Sequence, residues 1–160
     1  MALGGGGTNG AWEAGLIWGL MHYGDPTDYA WDVVSGVSAG SIGASFMSLY
    51  DIGDEVAASE AYSHLWASTL NPEIWKMWPE HPHNFAGGCM DHAGCFNDDA
   101  FLSGFRKIAS NNGEIKRNFT LGSVNVNDGE YITFNQDNIS IDELGQAVVS
   151  SCSIPMIFPP

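Results

Sequence analysis

The sequence predicts an α/β domain with strands and helices in alternation, and three observations carry that expectation. Short apolar runs of strand character alternate with stretches whose apolar residues recur at helical spacing. A glycine-bounded turn, Gly36 to Gly40, stands between a strand-like run and a helix-like run. The chain has 160 residues and a hydrophobic fraction of 44%, enough to bury roughly 70% of its unfolded surface around one core. A single domain spanning residues 1–160 is expected, since no repeat, linker or low-complexity tract divides it.

Taken in order, Met1 to Leu3 read as the end of a short strand. Ala11 to Tyr23 read as a helix that places Trp12, Leu16, Leu20 and Tyr23 on one face and stops near Gly24, Asp25 and Pro26. Trp31 to Ser35 form a compact buried strand, Gly36 to Gly40 a tight turn, and Ser41 to Tyr50 a helix of small residues able to pack closely on a sheet. Asp54 to Thr69 form the next helix, capped near Asp54, with Val56, Ala57, Tyr62 and Leu65 among its apolar positions. Regularity is lost from Asn71 to Asp98, which is long for a loop in a compact domain. Asp98 or Asp99 caps a helix through Ile108. Phe119 to Val126 and Glu130 to Phe134 form strands joined across Asn127-Asp128-Gly129, a hairpin signal. Ser140 to Ser151 form the last helix, with Asp142 and Glu143 in its first turn.

Composition narrows the partners. Five Lys and Arg stand against nineteen Asp and Glu, a formal net charge of -14. Such a charge repels phosphate backbones and anionic headgroups, so nucleic acid is not an expected partner. A lipid would have to be held by apolar contact with Trp, Phe and Met instead. No run approaches the 18 apolar residues of a membrane span. Cys89, Cys95 and Cys152 lack paired zinc spacing, and His81, His83, Asp91 and His92 around the first two share no recurring ligand pattern. A Cys89–Cys95 disulfide or plain loop residues are expected there, with no metal. The sequons at Asn118 and Asn138 matter only in a secreted protein.

Chemistry concentrates in two places. Gly36-Val37-Ser38-Ala39-Gly40 matches G-x-S-x-G, the strand-to-helix turn that lifts a serine hydroxyl clear of a sheet in a strained conformation. Its glycines, Gly36 and Gly40, sit where a side chain would collide with a neighbouring strand or helix. Ahead of it, Gly4 to Gly7 and then Gly10 run into a helix N-terminus. Glycine is costly to order, and a run of four has a use where bare amides and the positive end of a helix dipole must approach an anion. Gly5, Gly6 and Gly7 are the candidate donors for the oxyanion of an attacked carbonyl. The same loop also fits G-x-G-x-x-G at Gly5, Gly7 and Gly10, the dinucleotide fingerprint, although Asp25, Asp28 and Asp32 are poorly placed for the ribose.

The two motifs, taken with the closing SSCSIPMIFPP, resemble the patatin-like phospholipase family. Gly5-Gly6-Gly7-Thr8-Asn9-Gly10 and Gly15 match its glycine-rich loop and following helix, with Asn9 where the family has Arg or Lys. Gly36 to Gly40 match its serine motif, and the last residues its Ala/Ser-rich helix and Pro-x-x-Phe-Pro segment. The resemblance implies a three-layer α/β/α domain with a mainly parallel central sheet, incomplete at its C-terminus. It implies a lipid acyl hydrolase using a Ser-Asp dyad, with Ser38 as nucleophile and the aspartate in an Asp-Gly-Gly or Asp-Gly-Ala motif beyond Pro160. It implies no cofactor, a lipid or phospholipid ester as substrate and transient contact with a membrane surface. Trp12, Trp18, Phe46, Met47 and Trp75 to Pro79 are candidates for an acyl channel, although each taken singly reads first as plain core. Asp128-Gly129 reads as a structural turn. A patatin-fold binding protein without turnover and a nucleotide-binding domain remain as alternatives.

Overall fold

The computed structural model describes residues 1–68 and 76–159, so Thr69, Asn71, Trp75 and Pro160 lie outside the described residues. Strand β1 (Ala2–Leu3) leads through a short 3-10 turn at Gly7–Asn9 into α1 (Gly10–Tyr23), and β2 (Val33–Val37) leads into α2 (Ala39–Ser48). Then come α3 (Glu55–Ser68), α4 (Phe85–Asp91), α5 (Asp99–Asn112), β3 (Asn118–Val124), β4 (Tyr131–Asn135) and α6 (Ile141–Cys152). The sheet runs β1-β2-β3-β4. β1, β2 and β3 are mutually parallel and β4 returns antiparallel, which is the mainly parallel α/β sheet expected.

Register explains which face of this sheet forms the core. Val34 pairs with Phe119 and Gly36 with Leu121, so the side chains of Val34, Phe119 and Leu121 share one face, and all three are buried. The opposite face carries Val33, Val37, Val124 and Tyr131, all exposed. The strand expected to be buried throughout is therefore buried on one side only, and it starts two residues later than Trp31. α2 covers the buried face, and every residue from Ala39 to Ser48 is buried. Its small residues permit this approach: a Cβ on Gly40 would strike the Leu3 carbonyl, and one on Gly43 would meet Leu3 and the Tyr62 ring.

α1 packs with a different face from the one expected. Gly10, Ala14, Ile17 and Met21 are buried, whereas Trp12, Leu16 and Tyr23 are exposed. The reason is close approach: a Cβ on Gly10 would run into the Trp66 ring of α3 and stand 3.1 Å from Ala39 Cβ, so the slender side of the helix turns inward. In α3 the buried apolar positions are Ala58, Tyr62, Leu65 and Trp66, with Ala57 exposed. The stretch before Asp98 is not wholly irregular, since α4 forms there, capped by the Asn84 side chain accepting from Gly87 N–H. A Cys89–Cys95 disulfide closes this segment.

Two polar devices hold the connections. Arg117, buried just before β3, pairs with buried Glu55 at 2.6 Å and donates to the carbonyls of Tyr50, Trp31 and Asp51. It thereby ties the ends of α2, α3 and β2 to β3, and its fork leaves few donors unused. At the hairpin, Gly129 has φ 77°, while Asp128 accepts from Glu130 N–H and the Asn125 amide. Asp128-Gly129 is thus a turn.

Candidate active site

The β2–α2 junction places Ser38 at φ 54°, ψ −125°. A non-glycine residue at positive φ is strained and persists only where its surroundings over-determine it. Here they do. Ser38 N–H donates to Ser151 Oγ at 2.8 Å, and Ser151 Oγ in turn donates to Gly122 O. The Ser38 carbonyl accepts from Ser41 N–H at 2.8 Å, Ser41 Oγ at 2.6 Å and Cys152 Sγ at 3.2 Å. The C-terminal end of α6 therefore clamps the turn from the β3 side, a role for Ser151 and Cys152 that no spacing in the sequence announces.

The two glycines of the turn are sterically required. A Cβ on Gly36 would overlap the Gly40 carbonyl, and one on Gly40 would overlap the Leu3 carbonyl. The glycine run meets the same turn from β1. A Cβ on Gly5 would sit 3.2 Å from Ser38 Cβ and 3.5 Å from the Val37 carbonyl. Gly7 adopts φ 57°, and Gly4 N–H donates to Glu13 Oε1 at 3.0 Å. Among the described residues no loop or side-chain acceptor takes the amides of Gly5, Gly6 or Gly7.

Ser38 opens onto a cavity of about 70 Å³. Gly7 and Thr8 stand on one side of it, and Ile42, Trp66, Phe101, Val149 and Phe158 supply an apolar wall drawn from α2, α3, α5, α6 and the residues after it. Among the described residues the candidates for an acyl channel go elsewhere. Trp12 is 70% exposed, Phe46 and Met47 are buried in the core, Trp18 stacks on His22, and Trp78 stacks on His92. Bulk alone did not decide the wall. Phe46 and Met47 turn into the packing between helices, while Trp66 reaches the cavity because Gly10 leaves room beside it.

Two ionisable groups line the cavity. Asp98 precedes α5 without capping it by a side-chain hydrogen bond, and burial raises its carboxyl above the usual value, with Asp99 adding to the effect. The Cys152 thiol, turned towards the Ser38 carbonyl, is pushed up to about 12 by burial. Among the described residues no carboxylate or imidazole hydrogen-bonds the Ser38 hydroxyl. His22 is held by Trp18 O and Glu60, and His81 by Asp91.

The chain as a whole has counterparts among known proteins. A family model described as "Patatin-like phospholipase" matches residues 1–160. Among solved structures, VipD from Legionella pneumophila superposes with a TM-score of 0.51 at 15% identity, over 99% of this chain and 43% of that one. That likeness speaks to the fold, and this chain spans less than half the length of the VipD chain. No curated protein matches the sequence. Because the family model covers every residue from the glycine loop to the closing proline segment, the chain belongs to the patatin-like phospholipases, a family of lipid hydrolases.

Proposed function

We propose that residues 1–160 form one patatin-like domain carrying the nucleophile of a lipid acyl hydrolase of phospholipase A type. The observation that carries this reading is the meeting of Ser38 and the glycine loop at one apolar cavity. Ser38 Oγ attacks the acyl carbonyl of the ester. The amides of Gly5, Gly6 and Gly7 receive the charge that develops on the carbonyl oxygen, at the N-terminal end of α1, where the helix dipole adds to them. Ser38's own amide is committed to Ser151 and does not serve. Collapse of the tetrahedral species expels the alcohol, which takes up the proton removed from Ser38, and leaves an acyl-serine that water hydrolyses to the fatty acid, returning the proton to Ser38.

The Ser38 proton needs a base. No described carboxylate bonds the hydroxyl, and the proposed base is an aspartate carried outside residues 1–160, completing a Ser-Asp dyad. Residues 1–160 alone are then expected to turn over little ester. The apolar cavity wall suits an acyl chain, and a net charge of -14 suits contact with neutral lipid surfaces over anionic ones. No cofactor takes part. A fluorophosphonate probe tests the reading: in the full-length protein it should label Ser38 and lose all signal in Ser38→Ala, with fatty acid released from a phospholipid. Full-length protein that stays unlabelled with its fold intact would favour the alternative, a patatin-fold binding protein without turnover.

A further inference from the structure

Four consecutive glycines offer nothing of their own with which to hold a loop in place. Each loses more backbone freedom on ordering than any other residue, and none has a side chain to pack or to hydrogen-bond. Whatever fixes Gly4 to Gly7 must be backbone hydrogen bonds or the side chains of neighbouring residues. The exit from the loop is held by its own 3-10 turn, where Asn9 N–H donates to Gly6 O at 3.1 Å and Gly10 N–H points at the Gly7 and Thr8 carbonyls. The entry is held by one side chain. Glu13, in the first turn of α1, accepts from Gly4 N–H through Oε1 at 3.0 Å, and its Oε2 is enclosed. Gly4 also has Glu13 Oε1 3.8 Å from where its Cβ would be, so the carboxylate lies alongside the loop as well as at its amide.

From this geometry we infer that Glu13 is a positioning residue for the glycine loop: by pinning Gly4 to the first turn of α1 it fixes the course of a loop that passes Ser38 at Gly5 and lines the same cavity at Gly7. The inference rests on the function proposed above, since it assigns Glu13 to the alignment of the same loop. The bond also spans two elements: Gly4 continues β1, whose Leu3 pairs with Gly36, so Glu13 links the strand carrying the loop to the helix that follows it. A carboxylate accepting a backbone N–H makes one of the stronger neutral-donor bonds.

The test compares Glu13→Ala with Glu13→Gln, which keeps an acceptor oxygen at the same reach. Two quantities are read in each: amide hydrogen exchange at Gly4 to Gly7, and the rate of fluorophosphonate labelling of Ser38 in the full-length protein. Glu13→Ala should exchange at Gly4 about ten-fold faster and label about ten-fold more slowly, the effect of losing one charge-assisted hydrogen bond, with Tm little changed. Glu13→Gln should restore most of both. Unchanged exchange at Gly4 in Glu13→Ala, or Glu13→Gln as impaired as Glu13→Ala, overturns the assignment. If Ser38 labels in no variant, the wild type included, the proposed hydrolase fails, while exchange at Gly4 still decides the role of Glu13.

Discussion

At the scale of single residues, the consequences of substitution follow from what each atom would meet. Gly40→Ala forces a methyl into the Leu3 carbonyl and should cost about 3 kcal/mol, read as a lowered midpoint in denaturant. Gly19→Ala, in the middle of α1 with nothing within 4 Å of the added methyl, should stabilise by about 0.5–1 kcal/mol. Chemistry at Cys152 is equally specific. A thiol pushed up to about 12 by burial stays protonated at pH 8 and is a poor nucleophile. Native protein should therefore leave Ellman's reagent unreacted, and unfolding without reductant should expose one thiol, because Cys89 and Cys95 are joined. The turn at Ser38 was legible from five residues because its geometry is local: two glycines, a positive φ and a strand feeding a helix. Glu13 was not legible, since nothing in an acidic residue at position 13 says which amide it will reach.

At the scale of elements, α6 shows how a surface cap supports a site a dozen residues away. Ser140 and Glu143 form a capping box, and those hydrogen bonds, the Ser140 backbone N–H first, hold the Glu143 carboxyl below its ordinary value. A depressed carboxylate contributes stability that is present above its unfolded-state value and lost as pH falls through its lower folded value. Acidification through that range should therefore loosen α6 in wild type, and Glu143→Gln should remove this component from the Tm–pH curve. Strand β2 offers a sharper contrast between neighbours. Val34→Ala empties a fully buried site and should cost about 2 kcal/mol, whereas Val33→Ala, on the exposed face, should stay within about 0.5 kcal/mol. The inward face of α1 differs from the expected one because three of the residues on the expected face, Trp12, Leu16 and Tyr23, point outward. Close packing against Trp66 and Ala39 requires the small residues Gly10 and Ala14 instead.

At the scale of the whole molecule, the described chain is held by a few links between distant segments. Arg117→Met would leave Glu55 as an unpaired buried charge and strip the Tyr50, Trp31 and Asp51 carbonyls of their donor. It should cost about 3–5 kcal/mol and is the substitution most apt to abolish folding. The segment closed by Cys89–Cys95 is joined to the residues after α6 by Cys95 N–H to Met156 O and Phe96 N–H to Ile157 O, and those residues bring Phe158 to the cavity. Residues adjacent along the chain were enough to give the order of strands and helices apart from α4, the strained serine turn and the glycine loop ahead of it, because each of these depends on local sequence. The cavity wall of Ile42, Trp66, Phe101, Val149 and Phe158, the clamp of Ser151 and Cys152 on Ser38, and the anchor at Glu13 emerged with the folded chain. Those depend on distances between residues far apart in sequence, which hydrophobic periodicity does not encode and which close packing of the sheet against small-residue helices sets.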